Sequence, residues 1–150
     1  MKTSRLLGAL LIVLEVASIG LFLVCGQTIF SMMSTVSPSG GGQIPVVVDE
    51  ATQVATLTYD AAPKNGGLLP VKLGIGFGIT LSDGSYTVKN VTTVSLQPGE
   101  QWGVSLTLKV PMARLQQYAN GAGTLDIYTS YSTLYDLVRL DYNALAEGGT

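Results

Sequence analysis

Two periodicities divide this chain. From Leu6 to Phe30 (LLGALLIVLEVASIGLFLVCGQTIF) the residues are almost all apolar or small, and Glu15 is the only charge. About 20 such residues, rising ~1.5 Å each, cover the hydrocarbon core of a bilayer. From Val46 onward apolar residues recur at every second position, the period of a strand with one buried face. Val46 and Val48 open a first short strand, and Ala55, Leu57 and Tyr59 line one face of a second. Val71 to Leu81 is the longest alternation. Val71, Leu73, Ile75, Phe77, Ile79 and Leu81 stand against Lys72, Gly74, Gly76, Gly78 and Thr80, so a half-buried strand is expected.

Turn chemistry punctuates the alternation. Asp60 to Gly67 (DAAPKNGG) combines Pro, Asn and Gly. Ser82-Asp83-Gly84-Ser85 suits a tight hairpin, and Gln97-Pro98-Gly99-Glu100 suits a type II turn. Strands are predicted over Tyr86–Leu96, Trp102–Val110, Thr124–Tyr131 and Leu134–Tyr142, and one or two helical turns over Met112–Tyr118 before Asn120-Gly121. Seven or eight short strands at this spacing predict a mainly β chain. Its architecture is an N-terminal transmembrane helix followed by an antiparallel immunoglobulin- or fibronectin-like β-sandwich, with a small barrel as the alternative. The divisions are an anchor at 1–33, a Ser/Gly/Pro linker at 34–43 read as a flexible connector, a β domain at 44–145 and a short tail at 146–150.

The apolar run exceeds the 7–15 residues of a usual signal-peptide core, and no A-x-A cleavage site follows it, so a retained anchor is expected. Lys2 and Arg5 place the N-terminus in the cytoplasm and the C-terminal domain outside. Glu15 sits near mid-helix, where a carboxylate commonly costs ~2–3 kcal/mol. With Gly8 and Ser18 it forms a small and polar stripe suited to helix–helix contact, the alternative being a protonated Glu15 tolerated in a monomeric anchor.

Composition narrows the chemistry. Charged residues are 12% and the net charge is -2, without a basic patch, so a nucleic-acid partner is not expected. There is no histidine, and the one cysteine is Cys25, inside the apolar run. Histidine-based acid–base catalysis, intrachain disulfides and Cys/His metal centres are excluded. No serine lies in a G-x-S-x-G elbow and no Gly-rich segment has P-loop spacing. A Ser–Lys dyad would need a serine beside Lys72, Lys89 or Lys109. No enzymatic activity and no cofactor or metal are expected.

Three features invite other roles. Asn90-Val91-Thr92 is a glycosylation sequon, with Asn90 as acceptor. Gly74, Gly76 and Gly78 share the outward face of their strand, where a partner would pack closely, although a curved strand explains them as well. Tyr128 and Tyr131 fall on opposite strand faces, so at least one points outward, where tyrosine favours protein contact.

Two resemblances accompany these features. VKLGIGFGITLSDGS, followed by VSLQPGEQWGVSLTLKVPMARL, resembles the type-2 late-embryogenesis-abundant or water-stress (WHy) domain. That resemblance covers about 100 residues and implies a fibronectin-like sandwich, often membrane-anchored, with a non-enzymatic envelope or stress role. MKTSRLLG followed by ALLIVLE resembles, over a shorter stretch, the leader and first helix of archaeal type IV pilin-like proteins. The expected function is therefore a structural or accessory subunit of the cell envelope. Its partners are membrane lipid and either another envelope protein or copies of itself. The alternative is a filament subunit whose helix forms the fibre core.

Overall fold

The structure, a computed structural model, describes residues 2–36, 44–85 and 87–147, with the side chains of 2–6 and 145–147 left aside. Residues 37–43 of the expected linker and 148–150 of the expected tail lie outside the described residues.

The chain is mainly β, with one long N-terminal helix. Helix α1 spans Lys2–Met33. No Pro or β-branched run interrupts it, and the hydroxyls of Ser34 and Thr35 close it by donating to the carbonyls of Ser31 (2.8 Å) and Met32 (2.9 Å). Among the described residues seven strands follow: β1 (Val46–Asp49), β2 (Val54–Ala61), β3 (Val71–Leu81), β4 (Thr87–Leu96), β5 (Val104–Pro111), β6 (Gly123–Thr133) and β7 (Val138–Glu147). A short helix α2 (Met112–Ala119) lies between β5 and β6. Every pairing is antiparallel, and the two sheets have the orders β1-β2-β5 and β4-β3-β6-β7.

The sheets enclose one core. Ala55, Leu57 and Tyr59 of β2 and Leu106, Leu108 and Val110 of β5 meet Leu73, Ile75, Phe77 and Ile79 of β3, with the Tyr59 and Phe77 rings 5.7 Å apart. These are the alternating positions of the sequence, and fully burying each large side chain stabilises by roughly 1.5–3 kcal/mol.

Three details differ from the sequence reading. From Leu73 to Ile79 β3 is buried on both faces, not half-buried, because it is a central strand whose glycines are covered by β4 and β6. The last two strands are shifted: β6 runs on to Thr133 and β7 starts only at Val138, extending to Glu147 into the expected tail. Between them Leu134, Tyr135 and Asp136 all adopt positive φ (52°, 55° and 67°). A turn of non-glycine left-handed residues carries no Gly or Pro signal, so the sequence reads there as strand.

The third difference concerns the join between helix and domain. The helix end is part of the domain core: Ile29 and Met32 belong to the same apolar cluster as the strands, and Cys25 and Met32 are 1% and 0% exposed. The helix is therefore docked on the domain before the linker begins.

Candidate functional site

The docked helix end is built from small residues and one buried asparagine. Asn65 is fully buried in the loop from Ala62 to Pro70. Its side-chain amide donates to the carbonyls of Leu69 (2.9 Å) and Leu96 (3.0 Å), while its Oδ1 accepts the Gly67 N–H at 3.0 Å. Its backbone pairs with Glu100 and Gly99. This fixes the Gly66-Gly67 segment flat against α1. A Cβ on Gly67 would lie 2.6 Å from the Thr28 backbone Cα, so only glycine permits the approach. Across the contact the Leu68 N–H donates to Thr28 Oγ1 (3.3 Å), and the Lys64 N–H donates to Thr35 Oγ1 (3.1 Å). The sequence marks Asp60–Gly67 as a turn. That its asparagine and glycine hold the anchor appears only in three dimensions.

Above this joint α1 is bare. From Leu7 to Leu23, about 17 residues or roughly 25 Å, every side chain is exposed. The helix is long and apolar enough to cross a membrane, with mean hydropathy 2.5. Gly8, Glu15 and Ser18 all lie on the bare segment. Ser18 Oγ donates to the Leu14 carbonyl at 2.8 Å, so its hydroxyl is satisfied within the helix and what it offers a neighbour is small size. Among the described residues nothing lies within 4 Å of the Cβ position of Gly8.

The other sequence-predicted positions are spent inside the domain. Ser130 lies over Gly74, Lys89, Val91 and Tyr128 lie over Gly76, and the β4 backbone lies over Gly78. The face expected to receive a partner is thus covered by this chain's own side chains. Tyr131 points into the core at 2% exposure. Tyr128 faces outward, but its ring lies beneath Lys89 Nζ (5.3 Å to the centroid), and its hydroxyl donates to Asp141 (2.7 Å) and accepts from Arg139 (3.2 Å). That hydroxyl, with Arg139 beside it, holds the Asp141 carboxyl below the usual carboxylate range. Asn90, on β4, donates its amide N–H to the Thr107 carbonyl of β5 (3.2 Å), tying the two sheets together with the nitrogen that a glycan would need.

One open groove of about 460 Å³ lies at the end of the sheet where β3 begins and β6 ends, lined by Pro70, Lys72, Gln97 and the Leu134–Asp136 turn. Lys72 Nζ stands 3.7 Å from Asp136, and Ser132 donates its hydroxyl to the same carboxylate. The Ser132 hydrogen bond and the Lys72 charge hold Asp136 below the usual range, which makes it a poor general base. Ser132 thus meets a weakly basic carboxylate instead of a free lysine, and this is not an activated nucleophile. Among the described residues no group of three His, Cys, Asp or Glu side chains is arranged to hold a metal.

No protein-family model and no curated protein matches the sequence. Among solved structures the chain resembles part of a β-glucuronidase from Bacteroides uniformis, with 17% identity, TM-score 0.46, and coverage of 71% of this chain but 12% of that one. It also resembles the putative ApaA protein from Bordetella pertussis (15% identity, TM-score 0.44, 71% and 89% coverage). A third similar structure is a protein from Archaeoglobus fulgidus (16% identity, TM-score 0.39, 72% and 92% coverage).

Proposed function

We propose that the protein is a non-enzymatic, single-pass membrane subunit of the cell envelope, with the N-terminus cytoplasmic and an immunoglobulin- or fibronectin-like domain outside. The observation that carries this reading is the division of α1. From Leu7 to Leu23 it is bare and largely apolar, while its end is core of the domain. Exposed in water, the bare part would present about 17 consecutive solvated positions, a surface that calls for lipid or other helices. Removing the helix as a signal peptide would strip Ile29 and Met32 from the core, which supports retention.

The assembly surface in this reading is the stripe of Gly8, Glu15 and Ser18, where small residues let a second helix approach and the carboxyl finds a partner away from lipid. The partner is another envelope protein or a second copy of this chain. In the test, Glu15→Leu is expected to insert normally while losing co-purification of its partner and shifting to smaller oligomers in mild detergent. Unchanged association would overturn the assembly role.

A filament subunit is the second reading. The same rigid joint favours it, because a helix fixed to a head domain is the geometry by which stacked helices carry heads on a fibre surface. Mass spectrometry of the native N-terminus separates the two. Retention of residues 1–8 supports the anchor, and a chain beginning at Ala9 supports the filament.

A further inference from the structure

We infer that the helix-proximal end of the β domain is itself a lipid-contact surface, with Tyr135 and Leu137 at its tip inserted at the headgroup level of the bilayer. The inference rests on the membrane-anchor reading and adds a second point of contact, made by the domain.

Four large apolar side chains are exposed at this one end. Phe30 and Leu68 are 74% and 68% exposed, Leu137 is 83% exposed, and Tyr135 is at 103%, as open as a free side chain. Their placement follows from the pairings. Leu68 is hydrogen-bonded to Thr28 of α1, and β3 starts three residues later. Val71 pairs with Thr133, the last residue of β6, so the Leu134–Leu137 turn emerges beside Pro70, and Pro70 accepts the Thr133 hydroxyl at 2.7 Å. β6 also touches α1 directly. The turn and the helix joint therefore lie at one end of the domain, the end from which the bare helix leaves.

The distance to the bilayer is fixed by the joint. Unbroken exposure of the helix ends at Leu23 and burial begins at Cys25, so no spacer separates the membrane-length segment from the domain. A domain held that closely brings its near end to the interface, where tyrosine is favoured because its ring lies among acyl chains and its hydroxyl among headgroups. The contact is continuous with the apolar helix. The charges nearby cancel, Lys72 against Asp136, so the occupant is the apolar–polar boundary of a lipid leaflet and not an anionic headgroup site. The backbone supports the same assignment. Leu134, Tyr135 and Asp136 are held left-handed at a cost no glycine offsets, and such conformations persist where the presented side chains matter.

The experiment uses the full chain in phosphatidylcholine vesicles whose acyl chains are brominated close to the headgroup. In a Trp102→Phe background, single tryptophans are placed by Tyr135→Trp, by Phe22→Trp in the bare helix, and by Tyr118→Trp on α2. The expected result is that Tyr135→Trp loses about half of its emission, as Phe22→Trp does, while Tyr118→Trp is unaffected. Quenching of Phe22→Trp but not of Tyr135→Trp would overturn the lipid contact and leave the anchor standing. Quenching of neither would overturn both. Trp102 packs against the core. Should its replacement perturb folding, the same loss is read with Trp102 retained, as the difference between Tyr135→Trp and the wild type.

Discussion

Single residues decide how the anchor meets the domain. Asn65 makes three side-chain hydrogen bonds in a fully buried site, so Asn65→Ala leaves two carbonyls and one N–H unpaired. Each such group costs about 1–3 kcal/mol, and a loss of several kcal/mol is expected in chemical denaturation. Gly67→Val acts on the joint alone. Its side chain displaces Thr28, and proteolysis between helix and domain should accelerate while the domain keeps its β circular dichroism. Tyr135→Gly has the opposite sign: it relieves a left-handed tyrosine and is expected to stabilise the fold by about 1 kcal/mol. That gain would come with loss of the tyrosine ring from the membrane-facing end, and a thermal melt measures it directly.

Elements show what the pattern of residues made legible. The alternations at Val54–Tyr59, Val71–Leu81 and Trp102–Val110 became β2, β3 and β5 with their apolar faces inward, β5 starting only at Val104, because period-two burial is a local property of a strand. The glycines of β3 were legible as an anomaly, but their cover was not, since Lys89 and Tyr128 reach them from other strands. The β6–β7 turn was invisible because YSTLYDLV contains no glycine, proline or asparagine, and Asp136 is held there by the hydrogen bond from Ser132 and the charge of Lys72. The helix was read in full from its apolar run. Its docking was not, because the fixing residues, Asn65 and Gly67, lie some thirty residues downstream of the helix end and belong to a segment that reads only as a turn.

At the scale of the whole molecule, pH response follows from the titrating groups. Asp136 and Asp141 are held below the usual carboxylate range, chiefly by the hydroxyls of Ser132 and Tyr128. The fold favours their charged forms, so their contribution is complete above about pH 4 and is lost as the pH falls through the lowered folded values. Burial raises the hydroxyls of Tyr59 and Tyr131. The fold favours their neutral forms, so that contribution is complete below about pH 10 and is lost as the pH rises towards the raised values. With no histidine in the chain, the melting temperature is expected to be flat between about pH 5 and 9 and to fall on either side. A titration step near pH 6.5 would contradict this.

The central claim is that a bare helix, rigid with its domain, lies in lipid and carries an assembly face along Gly8, Glu15 and Ser18. Photo-cross-linking in native membranes tests it most directly, with one photoreactive residue placed in turn from Leu7 to Leu23. The account predicts covalent adducts peaking at positions 8, 15 and 18 and falling away on the opposite helix face. Adducts absent at every position, or equal around the helix, would contradict it.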